Sequence, residues 1–157
     1  MGQYLRNSEI HDIEDRILDN WHNFPELNEE DQARFLLNMA SSAWKKQEGF
    51  DEIKWKVEFY IQLGHDILNG DFNKIKILIY FLDDPYMKED FGYFFEQLKY
   101  SEKASAALDL ASYACGFVCR LSAEKANIHS LPDPVLEALP DIYEYFYDKI
   151  KIAGLIY

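Results

Sequence analysis

Cysteine is scarce in this chain. There are two in 157 residues, Cys115 and Cys119. On a helix they lie one turn apart, with Cβ atoms about 5–6 Å from each other. A disulfide needs about 3.5–4.5 Å. The spacing therefore excludes a disulfide framework and predicts two reduced thiols, as in a cytoplasmic protein. Long apolar runs are missing as well. ILIYFL at 77–82 is the longest, far short of the roughly 20 residues a membrane helix needs. The opening MGQYLRNSEI has no apolar h-region. Arg6 stands where N-myristoylation would require Ser or Thr. No P-loop, no G-x-G-x-x-G and no G-x-S-x-G occurs, so nucleotide binding and serine hydrolysis have no motif to rest on. Positive charge is in short supply too: 16 Lys and Arg stand against 28 Asp and Glu, a net charge of −12. Such a surface is repelled by nucleic acid and by anionic lipid, and it attracts a basic protein.

What is present is a core. Apolar residues make up 48% of the chain and aromatic residues 16%, so the sequence is not of the disordered class. Its length suits one domain burying roughly 68–70% of its unfolded surface. Apolar residues recur at helical spacing between short breaks. Ser8 caps a first helix with Ile10, Ile13, Ile17 and Trp21 on one stripe. Asn28 caps a second, whose Glu29, Glu30 and Asp31 suit the positive helix end and whose buried side is Ala33, Leu36, Leu37, Ala40, Ala43 and Trp44. Gly49 closes it. A third opens at Asp51 or one residue earlier and carries Ile53, Val57, Tyr60, Ile61, Gly64, Ile67 and Leu68. The NGD turn follows at 69–71.

Residues 72–82 alternate like a strand at first and then turn solidly apolar. They read as a helix, because no second strand offers to pair with them. A further helix covers 88–99. Ser101 and Glu102 begin the clearest one, with Ala104, Ala107, Leu108, Ala111, Cys115, Val118 and Cys119 on one face. The small residues there let neighbouring helices come close. Asp133 with Pro134 is a helix start, Pro140 interrupts it, and a last helix runs from about 140 to about 153, before Gly154. There is no internal repeat or linker. The expectation is an all-α, single compact domain of six to eight helices spanning 1–157.

Three sets of residues invite a chemical reading. HDIEDRILDNWH places His11, Asp15, Asp19 and His22 on one helical stripe, a donor set suited to Zn or Fe, or else simply a solvated face opposite the isoleucines. GHD at 64–66, with His22 upstream and Asp109 downstream, loosely resembles the all-helical HD-type metal phosphohydrolases, in which His, His–Asp and Asp hold a water-activating metal. Cys115 and Cys119 share an apolar face and read as buried core thiols. Trp21 and Trp44 read as core, and the face of Trp55 is less clearly assigned. No metal and no other cofactor is expected.

The acid excess is uneven. Residues 1–31 hold nine acids against two arginines, and 133–148 hold five acids with no base, whereas 45–76 balance six lysines against six acids. On the last helix Ile142, Phe146, Ile150 and Ala153 point one way, and Asp141, Glu144, Tyr145 and Asp148 the other. Tyr143 and Tyr147 flank that boundary. Uncompensated carboxylates repel one another, and tyrosines beside them supply contact area at low entropic cost. The candidate partner-binding residues are therefore Asp133, Glu137, Asp141, Tyr143, Glu144, Tyr145, Tyr147 and Asp148. Asp12, Asp15 and Asp19 form a second-ranked acidic surface.

In this character, and in YACGFVCRLSAEKANIHSLPDPVLEALPDIYEYFYDKI at 113–150, above all LPDPVLEAL, the chain resembles the all-helical immunity proteins of bacterial polymorphic-toxin and contact-dependent inhibition systems. The resemblance implies a cytoplasmic, non-enzymatic inhibitor paired with a cognate toxin domain, often a basic nuclease, and no direct contact with nucleic acid or membrane. The alternatives are a metal-dependent phosphohydrolase using some of His22, His65, Asp66 and Asp109, and a helical adaptor.

Overall fold

A computed structural model describes residues 23–83, 91–131 and 143–155. Among these residues the protein is all-α. Six helices are described: α1 (Glu29–Lys45), α2 (Asp51–Leu68), α3 (Ile75–Asp83), α4 (Phe91–Leu98), α5 (Glu102–Ser122) and α6 (Tyr143–Ile152). Three single-turn 3-10 segments lie at Phe24–Glu26, Phe72–Lys74 and Glu124–Ala126. The expected first helix and the Asp133–Pro134 start lie outside the described residues.

The helix starts follow from local chemistry. The Asn28 side chain accepts a hydrogen bond from the Asp31 N–H at 2.8 Å, and Ser101 Oγ accepts from the Ala104 N–H at 3.3 Å. Each satisfies one of the N–H groups that a first turn leaves without a partner. α1 ends at Lys45, earlier than Gly49 alone suggests. The chain then passes through two successive left-handed residues, Gly49 (φ 78°) and Phe50 (φ 56°). Glycine takes that conformation freely, whereas phenylalanine takes it at a cost of about 1–3 kcal/mol. Lys54 Nζ, 3.2 Å from the Gln47 carbonyl oxygen, clasps this corner.

The ambiguous stretch after Gly70 (φ 111°) is a 3-10 turn followed by a helix. Ile75, Leu78, Phe81 and Leu82 are buried, a helical spacing. Ile77, which gave the strand-like alternation, faces out at 51% exposure.

α5 is the axis of the fold, and each of the five other helices packs against it. Its buried residues lie around nearly the whole circumference. Besides the face read from the sequence, Ala106, Leu110, Ala114, Gly116, Phe117 and Ser122 are buried. A helix apolar all round belongs at a centre, and its alanines let many neighbours fit at once. The two thiols are buried there as free cysteines, with Cys115 Sγ 3.8 Å from the Tyr60 carbonyl oxygen. Asp109, a carboxylate in the middle of this helix, pairs with Lys149 of α6 at 2.7 Å. α6 is also tied at its end. Lys46 Nζ donates to the Gly154 carbonyl at 2.8 Å, and the buried Gln47 amide, which donates to the Ala43 carbonyl of α1 at 2.9 Å, also reaches the Ala153 carbonyl at 3.5 Å.

Candidate functional site

Of the C-terminal candidates, Tyr143, Glu144, Tyr145, Tyr147 and Asp148 stand on α6. Tyr147 is half-buried and packs against the core, with Lys151 Nζ 5.2 Å from its ring centroid. Asp148 is exposed. Lys149 turns inward to Asp109. Asp133, Glu137 and Asp141 lie outside the described residues, as do Asp12, Asp15 and Asp19 of the second-ranked surface, and His11 and His22.

The His–Asp doublet is half-buried on α2. Burial, and then the positive field of Arg34, lower the His65 pKa, and the neighbouring Asp66 partly opposes them. Asp66 itself accepts from Lys74 Nζ at 2.8 Å and from the Gln62 amide at 3.0 Å. Those two bonds hold its carboxyl below the ordinary carboxylate range. Asp66 and Asp109 thus each already hold a lysine. No group of three or more His, Cys, Asp or Glu suited to one metal ion is found among the described residues. Burial pushes both cysteine thiols upward, so neither is poised as a thiolate.

A cavity of about 570 Å³ opens between the turn at 70–73 and the segment at 125–128. Its walls include Asn73, Lys76, Lys125 and Asn127. Lys125 Nζ lies 5.5 Å from the centroid of the Phe72 ring. Ligand cavities are mostly apolar with a few placed polar groups, and the lining here is polar.

The exposed face of α2 is what the sequence reading left unassigned. Trp55 is 68% exposed and Phe59, one turn later, 49%. At 3.6 residues per turn Asp51, Glu52 and Glu58 fall on the same face as these rings. Asp51 and Glu52 are exposed and Glu58 half-exposed. Lys56, at the border of the face, reaches Glu52 at 3.5 Å. Underneath, the Phe59 ring meets Tyr60 edge-on at 5.4 Å, and Tyr60 stacks on Phe81 of α3. That stack anchors α2 to α3, where Ile77 and Tyr80 are also exposed, at 51% and 55%. The signal was present in the sequence: once Val57, Ile61 and Gly64 face the core, Trp55 and Phe59 must face away from it.

No family model, no curated protein and no solved structure matches the chain. No described helix is long and apolar enough to cross a membrane.

Proposed function

We propose that this protein is an acidic immunity protein, a non-enzymatic inhibitor that acts in the cytoplasm by covering the active site of a cognate, basic toxin domain. One observation supports it: seven lysines are engaged by groups of the protein itself, although Lys45, Lys76 and Lys103 are exposed as well, while several exposed acids have no counter-charge. Lys46 and Lys54 bind backbone carbonyls, and Lys74, Lys99 and Lys149 bind carboxylates. Lys125 and Lys151 lie over aromatic rings. Glu29, Glu48, Asp51, Glu102, Glu124 and Asp148 are exposed. Among the described residues none of these six makes an ion pair. An unneutralised acidic surface steers association with a cationic partner and makes it dependent on salt.

The test is co-expression with the toxin encoded beside its gene, followed by titration of the purified pair. Restored growth and stoichiometric inhibition, with association slowing as salt rises, is the expected result. Continued toxicity with no binding at low salt rules the reading out. No observation favours the phosphohydrolase alternative. A helical adaptor would bind a partner without relieving any toxicity.

A further inference from the structure

We infer that the cavity between the turn at 70–73 and the segment at 125–128 binds a small phosphate-bearing anion, with Lys76 and Lys125 as its counter-charges and Asn73 and Asn127 as further hydrogen-bonding groups. This is independent of the inhibitor reading above and concerns a different ligand. The volume of about 570 Å³ falls in the range that holds small molecules. An apolar lining suits a greasy ligand, and a polar lining suits a hydrophilic ion. Both walls are pinned by backbone hydrogen bonds. On one side the Gly70 N–H donates to the Ile67 carbonyl and the Asp71 N–H to the Asp66 carbonyl, each at 3.0 Å. On the other the Asn127 N–H donates to the Glu124 carbonyl at 3.1 Å and the Ile128 N–H to the Ala123 carbonyl at 2.9 Å. The cavity is thus formed without a ligand, so little ordering cost is left for binding.

The groups in the walls select an anion. Among the described residues neither Lys76 nor Lys125 makes an ion pair, and the carboxamides of Asn73 and Asn127 make no hydrogen bond. Lys125 Nζ lies 5.5 Å from the Phe72 ring centroid, and a ring offers that ammonium no oxygen to accept from it. Asp71, the carboxylate in the wall, is already bound to Lys74 at 3.2 Å. Two ammonium groups and two carboxamides therefore face one space with no charged acceptor of their own. A phosphate group carries about −1.5 to −2 charge at pH 7 and three acceptor oxygens, which matches this set. A cationic ligand would meet both lysines. A long polyanion would meet the net charge of −12, but a small anion feels mainly the charges within about 10 Å at 0.1 M salt. An adjoining smaller cavity, which shares Phe72 and Lys125, is lined by Glu29 and Glu30. Glu30 is held by Arg34 at 2.8 Å. Glu29 has no ion pair among the described residues and confines the anion to the Lys76 side.

The experiment titrates the purified protein with glycerol phosphate, inorganic phosphate and glycerol at constant ionic strength, following backbone amide shifts by heteronuclear NMR. Far-UV circular dichroism and the urea midpoint confirm that each variant folds. Saturable shifts centred on 70–76 and 125–128 are expected with phosphate-bearing probes, and none with glycerol. Lys76→Gln and Lys125→Gln are each expected to weaken binding by about 10-fold or more. Lys103→Gln, which removes an exposed lysine at the other end of α5, is expected to change it by less than about 2-fold. Glu29→Gln is expected to tighten binding, a gain that a merely structural role for these lysines would not produce. Tighter binding of glycerol phosphate than of inorganic phosphate assigns an esterified ligand, and the reverse order assigns the free ion. Absence of saturation with either phosphate up to about 20 mM overturns the site. So does a response that Lys103→Gln weakens as much as Lys76→Gln, since that is diffuse attraction to surface lysines.

Discussion

His65 on α2 is half-buried between Arg34 and Asp66, and its pKa is lowered chiefly by burial and then by Arg34. A histidine with a folded pKa below its unfolded value binds its proton more readily in the unfolded chain. The stability it contributes is complete above the unfolded value of 6.5 and declines as pH falls below it. Asp66 is also shifted down, through its bonds from Lys74 and Gln62, so its contribution is present above the unfolded 3.8 and disappears only as pH falls through the lower folded value. Two separate acid losses are therefore expected, the histidine's first. Urea midpoints measured from pH 7.5 to pH 5 should fall in the wild type and fall less in His65→Gln. Equal slopes would show that His65 does not set this window. At the same scale, Cys115 and Cys119 are core residues and not reactive thiols, since burial disfavours the thiolate in both.

Between elements, α2 comes close to α1 at Gly64. A Cβ added at Gly64 would lie 2.9 Å from Leu37 Cδ2 and 3.2 Å from Leu37 Cδ1. Leu37 is fully buried, so its methyl groups have little room to retreat. Alanine gains up to about 1 kcal/mol of helix propensity over glycine. Overpacking a dense core costs about 1–3 kcal/mol. Gly64→Ala should therefore be net destabilising, by about 1–2 kcal/mol, in urea unfolding. Adding Leu37→Val should recover part of that loss, giving a non-additive double-mutant cycle. Strict additivity would mean that a Cβ at position 64 does not press on the Leu37 side chain. The same crossing explains why a glycine, a poor helix former, stands inside α2. The Lys149–Asp109 pair does a related job for α6, which meets α5 at a carboxylate that would otherwise be half-buried without a counter-charge.

At the scale of the whole molecule the net charge of −12 works against compaction. Like charges held on a folded surface repel more strongly than in an expanded chain, and salt screens them over about 10 Å at 0.1 M. The melting temperature should rise between about 10 mM and 150 mM sodium chloride, while association with the toxin proposed as its partner should slow over the same range. A fall in melting temperature would mean that the lysine pairs outweigh the acid excess. Opposite salt responses of folding and binding are what the proposed inhibitor role predicts for an acidic surface.

The helical class and most of the helices were legible in the sequence, because apolar spacing and capping are local. Asn28 and Ser101 cap where their side chains reach the next N–H groups, and the buried side of α1 follows from period 3.6 alone. The reduced state of Cys115 and Cys119 followed from spacing as well. Other features needed the tertiary structure. Alanine and leucine on α5 look alike whether one face or all faces are covered, and five neighbouring helices decide that nearly all are. Asp109 acquires its counter-charge from Lys149, 40 positions along the chain, and no local pattern carries that pairing. The C-terminal acids and tyrosines drew attention because they cluster in sequence, but Tyr147 and Lys149 are turned toward the core by packing. Trp55 and Phe59 lie among lysines in a segment of balanced charge, so composition hid them. They stand on the surface because Val57, Ile61 and Gly64 take the inward face of the same helix, and only the contacts of that face show how much of the two rings is left to water.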